Sequence, residues 1–387
     1  MTLRLAVNAV PLLSPGTGIQ QYLYNLMRHI EALDDIEPCY FYGRGWNRVL
    51  QQAPVPQIQG IPVPRIQRIK GIIRRFVPGG HMAGRFVKQI AFSRKTRSQF
   101  DVYHEPSSVP YGFDGPTVIT VHDLSFIRFP ASHPRERVDF MTRLMPRSLA
   151  RADAILVDSQ FVKREIVEVY GVSPDKIEVA YLGVSGLFRP MSESETRQCC
   201  TRHGLNHGGY LLAVGTIEPR KNLIQALRAY QELPGRVQEQ YPLVIAGMKG
   251  WLYASIEQEM APLIRKGRVR LLGYVSDEEL PQIYAGATAL LYTSVYEGFG
   301  LPPLEGMASG VPVITSNQSS IPEVVGDAAI MVDPHDVRAL KEAVMLVIED
   351  AEKAQRLREL GIERAKGFTW EKCARDTVAV YKRAANV

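Results

Sequence analysis

The sequence predicts an α/β protein built from two Rossmann-like domains, and three observations lead to that prediction. A chain of 387 residues is too long for one typical hydrophobic core, so two domains are expected. Short apolar runs alternate with helical segments along both halves, which is the pattern of parallel sheets covered by helices. Each half also has a glycine loop directly after an apolar run, where doubly wound sheets bind phosphates.

The composition is that of an ordinary soluble globular protein, with 45% hydrophobic and 22% charged residues. The four cysteines have neither a CxxC nor a metal-ligand spacing, which indicates reduced thiols in a cytosolic protein. The sequence shows no signal-peptide pattern, and no stretch approaches 18 apolar residues. We therefore expect a protein that does not span a membrane.

The N-terminal half begins with a buried strand at 4–10, followed by a glycine loop with Gly16 and Gly18 and a helix to about Leu33. A lone Gly-x-Gly is a weak signal of phosphate binding. Further strands are predicted at 39–42, 100–104, 117–122, 154–158 and 177–181. Ser159 is expected to cap the next helix, whose Lys163-Arg164-Glu165 run is expected on its outer face.

His122 lies at the C-terminal end of a predicted strand, where the side chain can reach a ligand. A lone histidine in such a place is more often structural than catalytic. Asp123 follows directly and is a candidate to orient the imidazole ring. Both roles are hypotheses.

The C-terminal half follows a polar segment, and its first strand is predicted at 210–214. Arg220 and Lys221 come in the loop after that strand and can meet a diphosphate as cations. Further strands are predicted at 243–246, 269–272, 289–292, 311–314 and 329–332.

The stretch 289–314 reads as strand, glycine loop, helix and strand, which is one βαβ unit of a parallel sheet. Gly298 and Gly300 let the backbone approach a ligand, and the helix start after them offers unpaired N–H groups that suit a phosphate. Glu297 and Glu305 are eight residues apart and can accept hydrogen bonds from the hydroxyls of a sugar nucleotide.

The string EGFGLPPLEGMASGVPV, with its Glu-x7-Glu spacing, resembles the signature of the retaining glycosyltransferases of family 4, which have the GT-B fold. GTIEPRKN and SSIPEV look most similar to bacterial mannosyl- and rhamnosyltransferases of O-antigen and polysaccharide assembly. The resemblance implies an α/β GT-B fold with two Rossmann-like domains facing each other across a cleft. It implies an acceptor domain at 1–185, a linker at 186–207, a donor domain at 208–368 and a terminal helix at 369–387 that crosses back to the first domain.

The same resemblance implies roles for individual residues. The implied catalytic residues are His122, Glu297, Lys221 and Arg220. The implied donor-binding residues are Gly16, Gly18, Tyr274, Val275, Gly298, Phe299, Gly300, Leu301 and Glu305. Relatives often have an arginine where this chain has Thr216, which leaves open whether Arg220 supplies the second charge on the diphosphate. No Asp-x-Asp loop for Mg²⁺ is present, so no metal or other cofactor is expected.

A basic segment stands apart from the rest of the chain, because residues 38–100 contain twelve Lys or Arg and no Asp or Glu. In its second part these cations interleave with isoleucine and phenylalanine, a composition that can lie on anionic lipid. Nucleic acid is a weaker candidate because no recognition motif accompanies the charge. A plain solvated face remains open as well. We expect a cytoplasmic protein with peripheral attachment to the inner face of the cytoplasmic membrane through residues 60–100.

The predicted activity is transfer of a hexose, mannose or rhamnose, from GDP-mannose or GDP-rhamnose to a hydroxyl of a lipid-linked glycan acceptor in lipopolysaccharide O-antigen or polysaccharide biosynthesis. The alternatives are a UDP-sugar donor, a GT-B epimerase that acts on a sugar nucleotide, and a non-catalytic binder. The acceptor, the linkage and the oligomeric state have no signal in the sequence.

Overall fold

The computed structural model describes residues 2–14, 18–51, 80–93 and 99–386. Within these residues the chain forms two mainly parallel sheets accompanied by helices, which confirms the predicted α/β class with two Rossmann-like domains. The strands of the first sheet are β1 (Leu3–Asn8), β2 (Ile36–Phe41), β3 (Trp46–Asn47), β4 (Val102–Glu105), β5 (Thr117–Val121), β6 (Ala154–Val157) and β7 (Ile177–Val179). The strands of the second are β8 (Leu211–Val214), β9 (Leu243–Ala246), β10 (Val269–Gly273), β11 (Ala289–Tyr292), β12 (Val313–Ser316) and β13 (Ile330–Val332). The predicted strands match these within a few residues, and β3 has no counterpart among the predictions.

The described helices fall along the chain between and after these strands. They are α1 (Gly18–Ile30), α2 (Gly80–Ser93), α3 (Ser125–Arg128), α4 (Arg135–Arg151), α5 (Gln160–Tyr170), α6 (Glu193–Arg202), α7 (Leu223–Gln231), α8 (Gly235–Gln240), α9 (Ala254–Arg265), α10 (Leu280–Ala285), α11 (Leu301–Ala308), α12 (Ile321–Val325), α13 (Val337–Glu349), α14 (Ala351–Ala365) and α15 (Trp370–Ala384). Short 3-10 turns occur between them, one of them at Pro219–Lys221. No helix of the described residues has the length and apolar character needed to cross a membrane.

Both sheets reverse their strand order near the middle. The first has the order β3-β2-β1-β4-β5-β6-β7 and the second the order β10-β9-β8-β11-β12-β13. The chain therefore moves outward from β8 in one direction, returns to the other side of β8 to form β11, and continues outward. Ligands of doubly wound sheets bind at such a reversal, beyond the C-terminal ends of the two central strands.

The chain divides into two compact units, and each unit contains more than one segment of the sequence. One unit consists of Met1–Val121, Arg147–Leu156 and Ala374–Val387, and the other of His122–Pro146 and Val157–Cys373. The core of the second sheet is formed by β8, β9 and β11 together with apolar residues of α7, α9, α13 and α14, including Leu227, Met260, Val344 and Leu357. The domain boundaries given above stay predictions.

An aromatic cluster fastens the end of α2 within the first unit. Phe92 lies 4.8 Å from Tyr103, 5.3 Å from Phe41 and 5.3 Å from Tyr111, measured between ring centroids. The predicted basic segment 60–100 falls largely outside the described residues, and α2 is its main described part. In that part the side chains of Phe86 and Val87 are 67% and 65% exposed.

Helix α15 contributes a buried hydrogen bond to the first unit. The hydroxyl of Tyr381 and Nδ1 of His104 are 2.7 Å apart, and Nε2 of the same ring is 2.8 Å from Oγ1 of Thr120. All three side chains are fully buried or nearly so. A buried polar group that loses its partner costs about 1–3 kcal/mol, so this contact stabilises the unit.

We predict that Tyr381→Phe lowers the free energy of unfolding by about 1–3 kcal/mol, because it removes a hydroxyl bonded to a buried imidazole and keeps the ring. Urea denaturation measures the change. Tyr170→Phe is the matched control, since the hydroxyl of Tyr170 is buried without a hydrogen-bond partner among the described residues. An equal effect of the two substitutions would contradict the role given to the Tyr381 hydroxyl.

Candidate active site

The candidate site is built from two loops that leave neighbouring parallel strands. Ala289 of β11 pairs with Leu211 of β8, so the two strands end on the same side of the second sheet. The chain after β8 carries Arg220 and Lys221, and the chain after β11 carries Glu297. The pairing of β8 with β11 thus brings together residues that are far apart in the sequence. The two loops meet where the strand order of the sheet reverses.

The carboxylate of Glu297 is the centre of this meeting. Its Oε1 accepts hydrogen bonds from Nζ of Lys221 at 2.6 Å, the hydroxyl of Tyr292 at 2.7 Å and Oγ of Ser294 at 2.5 Å. Its Oε2 lies 3.1 Å from Nη1 of Arg220. Glu297 is 8% exposed, so these contacts of its carboxylate are shielded from bulk water.

The charges in this cluster hold one another ionised. Burial by itself raises the pKa of the Glu297 carboxyl, but Lys221 and Arg220 outweigh burial and lower that pKa to about 2. Burial also acts to lower the pKa of the Arg220 guanidinium, and the carboxylates of Glu297, Asp123 and Glu218 raise it above its ordinary value. The Arg220 guanidinium and the Glu297 carboxylate therefore stay charged at neutral pH in a place with little solvent.

Glu305, the second glutamate of the pair, has a different environment in α11. Its Oε2 accepts a hydrogen bond from the buried hydroxyl of Tyr284 at 2.8 Å. Burial raises the pKa of Glu305 to about 7, the Tyr284 hydrogen bond lowers it, and the charge of Asp277 raises it. The pKa values of the two glutamates of one motif thus lie near 2 and near 7, because Glu297 is paired with cations and Glu305 is bonded to a tyrosine hydroxyl.

The glycine loop between Glu297 and Glu305 packs closely against neighbouring backbone. A Cβ atom on Gly298 would lie 1.7 Å from the carbonyl oxygen of His122, so no other residue fits without moving backbone. Gly300 has φ +125°, a conformation that favours glycine. Oγ of Ser320 donates to the carbonyl oxygen of Glu297 at 2.9 Å, and the N–H of Glu297 donates to Oγ of Ser319 at 2.9 Å.

The imidazole of His122 is oriented by Asp158, and the expectation that Asp123 orients it is wrong. Nδ1 of His122 is 2.6 Å from Oδ2 of Asp158. Oδ1 of Asp123 instead accepts the N–H of Ser125 at 2.9 Å at the start of α3. Burial raises the pKa of Asp158, and His122 acts to lower it. The backbone of His122 reaches the glycine loop, as its contact with Gly298 shows.

Glu165 is buried, so the expectation that it lies on the outer face of α5 is wrong. Its carboxylate accepts hydrogen bonds from Nε of Arg128 at 2.7 Å and from the hydroxyl of Tyr296. The same Tyr296 hydroxyl accepts the N–H of Leu124 at 2.9 Å. This network joins the residue before Glu297 to the segment that follows His122, and it holds both in place.

The N-terminus of α5 is occupied by a carboxylate of the chain itself. Ser159 caps the helix, as predicted, by accepting the N–H of Val162. Glu323 of α12 accepts the N–H of Gln160 at 2.7 Å and that of Phe161 at 3.1 Å. Oγ of Ser159 also donates to the carbonyl oxygen of Gly298 at 2.7 Å, so this cap supports the glycine loop.

The remaining predicted donor-binding residues lie in several places. Gly18 is the first residue of α1 in the first unit, and Gly16 lies outside the described residues. Phe299 is buried, and Leu301 begins α11. Tyr274 and Val275 follow β10, in a loop whose Asp277 is close enough to Glu305 to affect its pKa.

A pocket opens beside the cation loop. Its polar lining includes Gly215, Thr216, Lys221, Tyr292 and Thr293. The pocket therefore lies next to Lys221, at the C-terminal ends of β8 and β11. Thr216, at the position where relatives often have an arginine, lines this pocket, and Arg220 converges with Lys221 on the carboxylate of Glu297.

One group of described residues has side chains of the metal-ligating types. Cys199, His203 and Glu279 bring one ligand atom each within 4.8 Å of one another. Glu279 is already paired with Arg202, and burial, then the charge of Glu279, raises the pKa of the Cys199 thiol to about 11. Because the Glu279 carboxylate is already paired with Arg202 and lies 3.3 Å from Nε2 of His203, we assign no metal to this group. None of the four cysteines forms a disulfide, and all are buried.

Several residues of the site were not predicted from the sequence. They are Tyr292, Ser294, Asp158, Ser319, Ser320 and Tyr296. Tyr292 is the last residue of a predicted strand, and this position at a strand end was a usable signal. The serines and Asp158 contact partners more than 20 residues away in the chain or within ordinary turns, where residue type alone does not distinguish them.

The comparisons with known proteins agree with the fold and place the chain in a glycosyltransferase family. Residues 203–364 match the family model for glycosyl transferases group 1, and residues 16–185 match the model for glycosyltransferase family 4. The O-antigen chain mannosyltransferase B of Escherichia coli is 35% identical over 378 residues, which cover 96% of this chain and 97% of that protein.

Two solved structures share the fold over nearly the whole chain. The sucrose-phosphate synthase of Thermosynechococcus elongatus has a TM-score of 0.75 at 19% identity and covers 99% of each chain. WaaG, a glycosyltransferase involved in lipopolysaccharide biosynthesis, has a TM-score of 0.70 at 15% identity and covers 97% of this chain and 98% of its own. At these identities the likeness shows the fold alone.

The raised pKa of Glu305 leads to a prediction about stability. Between about pH 4.5 and 7 the folded protein keeps a proton on Glu305 that the unfolded chain has released, so stability from this group is lost as the pH rises through that range. Glu305→Gln has nothing to titrate. We predict that the variant gains on the wild type by up to about 3 kcal/mol in free energy of unfolding between pH 4.5 and pH 8.

Urea denaturation of both proteins at the two pH values measures this gain. The exposed Glu352 allows the same change in charge, so Glu352→Gln is the control. A difference between Glu305→Gln and the wild type that is the same at both pH values would show that burial does not shift this carboxyl.

Proposed function

Because this chain belongs to the group 1 and family 4 glycosyltransferases, we propose that it moves a hexose, mannose or rhamnose, from a GDP-sugar to a hydroxyl of a lipid-linked glycan acceptor. It is a transferase, and its relatives include O-antigen mannosyltransferases. The proposed context is lipopolysaccharide O-antigen or polysaccharide biosynthesis. Retention of the anomeric configuration, GDP as the nucleotide and the lipid-linked acceptor are parts of the proposal.

The convergence of Arg220 and Lys221 on the Glu297 carboxylate carries this proposal. Sugar transfer from a nucleotide diphosphate develops negative charge on the departing phosphate, and catalysis requires fixed positive charge at that point. Both cations are held at one end of the second sheet, with a pocket beside Lys221. A donor diphosphate in that pocket accepts hydrogen bonds from Lys221 and Arg220, in competition with Glu297.

Glu297 then has two tasks. When no donor is bound, its carboxylate pairs with Lys221 and Arg220. When the donor is bound, the carboxylate accepts hydrogen bonds from sugar hydroxyls and still orients these two cations. Tyr292 and Ser294 hold its Oε1 in place from the protein side. The N–H groups of 299–301 are proposed to supply further positive potential for the diphosphate, since Pro302 and Pro303 have no N–H to offer.

Glu305 is proposed to bind the ribose, because a ribose contact needs hydrogen-bond acceptors and little charge. Its raised pKa suits this task, since the carboxyl loses part of its charge near neutral pH while its oxygens stay available. The loop with Tyr274 and Val275 is proposed to contact the nucleobase through its backbone groups.

The chemistry proposed for the sugar carbon is a front-face displacement. The acceptor hydroxyl attacks the anomeric carbon, the bond to the phosphate oxygen breaks, and the departing phosphate takes the proton of the attacking hydroxyl. This route needs no covalent nucleophile and no metal from the protein. His122, fixed by Asp158, is proposed to hydrogen-bond the donor sugar.

Mannose as the transferred sugar is supported by the named relatives, and rhamnose rests on the sequence resemblance alone. UDP-sugar donors, epimerisation and simple binding are the alternatives. One assay separates them. The full-length protein is incubated with GDP-mannose, GDP-rhamnose or UDP-glucose, with and without a lipid-linked glycan, and the released nucleotide and the product are measured. Acceptor-dependent release of GDP supports the proposal, and release of UDP, an epimerised sugar or no turnover contradicts it in three different ways.

We predict that Lys221→Ala lowers kcat/KM for the donor by an amount equal to about 2–4 kcal/mol, because it removes a fixed charge from the leaving group. Glu297→Ala is expected to lower kcat strongly through loss of sugar positioning. Initial rates over a range of donor concentrations give both values. Lys366→Ala is the control, since Lys366 is an exposed lysine paired with Glu363 at the surface. Near wild-type kcat/KM in a folded Lys221→Ala protein would remove this lysine from the mechanism.

Peripheral attachment to an anionic membrane is also proposed. Residues 60–100 are rich in Lys and Arg, and the described part of α2 exposes Phe86, Val87 and Ile90 beside Lys88. Apolar side chains and cations on one surface are the two components of interfacial binding. Each cation near an anionic surface adds about 1 kcal/mol, and this attraction weakens with salt.

We predict that the protein co-sediments with vesicles that contain anionic phosphatidylglycerol and is released by high salt, with weak binding to neutral vesicles. Val87→Ser is expected to weaken this binding, because it removes exposed apolar surface from α2. Val49→Ser is the matched control, since Val49 is 63% exposed against 65% for Val87. Equal binding to neutral and anionic vesicles, or binding to neither, would show that the segment is a solvated face.

A further inference from the structure

An exposed tryptophan lies in the loop after β9, within the same unit as the candidate site. Trp251 is 39% exposed, and its neighbours Leu252 and Met248 are 58% and 41% exposed. Leu252 also has φ +58°, a left-handed conformation that costs energy for a bulky side chain. A large apolar group held at the surface in this way indicates a binding role.

The tryptophan loop is fastened to the loop that carries the cations. The N–H of Gly250 donates to the carbonyl oxygen of Ile217 at 3.0 Å, and the N–H of Ile217 donates to the carbonyl oxygen of Met248 at 2.9 Å. Glu218, which follows Ile217 in the chain, accepts a hydrogen bond from Nη2 of Arg220 at 2.8 Å. Trp251 is therefore connected to Arg220 through a short series of backbone and side-chain contacts.

On its other side Trp251 contacts the segment that follows His122. The ring centroids of Trp251 and His133 are 6.2 Å apart. Nε2 of His133 is 2.9 Å from Oγ of Ser125, whose N–H is bonded to Asp123. Burial lowers the pKa of His133, and the charges of Asp123 and Arg220 also act on the ring. The exposed indole thus lies beside both segments that carry the proposed catalytic residues.

We propose that Trp251 is a platform for a pyranose ring of the acceptor glycan. This inference rests on the proposed function, because it specifies where the acceptor of that reaction binds. One face of a pyranose presents C–H groups, and an indole covers them with apolar surface while the hydroxyls around the ring stay hydrated. A rigid aromatic side chain also offers a large contact area at a small entropic cost.

The position of Trp251 favours an acceptor sugar over the donor. The donor diphosphate is proposed to bind Lys221 and Arg220 in the pocket beside β8 and β11, and Trp251 does not line that pocket. Trp251 belongs to the predicted donor domain 208–368, and its ring lies beside His133, which belongs to the predicted acceptor domain 1–185. An acceptor sugar on this ring would therefore lie at the segment after His122. A glycan chain that ends at the donor sugar has further sugar units outside the pocket, and an exposed aromatic ring at the edge of the site suits such a unit.

Steady-state kinetics with a soluble acceptor test this proposal. With α-linked mannotriose as acceptor, Trp251→Ala is expected to raise the acceptor KM by about tenfold or more while the donor KM and the rate of donor hydrolysis without acceptor stay unchanged. Trp251→Phe is expected to restore part of the affinity. Leu187→Ala is the matched control for loss of an exposed apolar side chain, since Leu187 is 56% exposed. An unchanged acceptor KM in Trp251→Ala would overturn the proposal.

Tryptophan fluorescence separates this inference from the proposed function. The chain has three tryptophans, and Trp370 is 4% exposed whereas Trp251 is 39% exposed. Mannotriose is expected to change the emission of the wild type and to leave that of Trp251→Phe unchanged. This change without sugar transfer would support the platform and contradict the proposed function. Sugar transfer without the change, together with an unaffected acceptor KM in Trp251→Ala, would support the function and contradict the platform.

Discussion

The buried contact of Glu297 with Lys221 and Arg220 is the interaction on which the site depends. Removing a charge from water costs several kcal/mol unless it is paired, so neither loop can keep its charged side chain buried alone. The pairing of β8 with β11 brings both loops to one end of the sheet, and the ion pairs then fix them against each other. The sheet topology and the chemistry of the site thus have a common origin in the order of two strands.

The arrangement also explains why two glutamates of one motif behave differently. Glu297 is in a loop that faces cations, and Glu305 is inside a helix that faces a tyrosine hydroxyl. Burial acts on both in the same direction, and only the partners differ. Eight residues of separation are enough to give one carboxylate that is always charged and one that titrates near neutral pH. The carboxylate of Glu297 suits contacts that must persist when no ligand is bound. The carboxyl of Glu305 suits a contact with neutral hydroxyls.

Much of the fold was predictable because its strands are apolar runs bounded by glycine, proline and polar residues. The strands at 243–246 and 289–292 were predicted at their observed bounds, and the short edge strand β3 was missed because two residues make no pattern. The Glu297, Lys221 and Arg220 cluster was predictable from the motif and from the position of both loops after strands. Asp158 was missed because Asp123 is adjacent to His122 in sequence, although neighbouring residues of an extended chain point in different directions. Glu165 was misjudged because a charged residue on a short helix is usually exposed, and its two partners, Arg128 and Tyr296, are distant in sequence.

The contact of Glu323 with the N-terminus of α5 affects which anions can bind there. Helix N-termini attract any anion of suitable size, including free phosphate, sulfate and nucleotides that are not substrates. At α5 the chain fills this place with its own carboxylate, which accepts the N–H groups of Gln160 and Phe161. An intruding anion must displace a tethered group whose effective concentration is far above that of any solute. The carboxylate of Glu323 thereby excludes other anions from the N-terminus of α5 by direct competition.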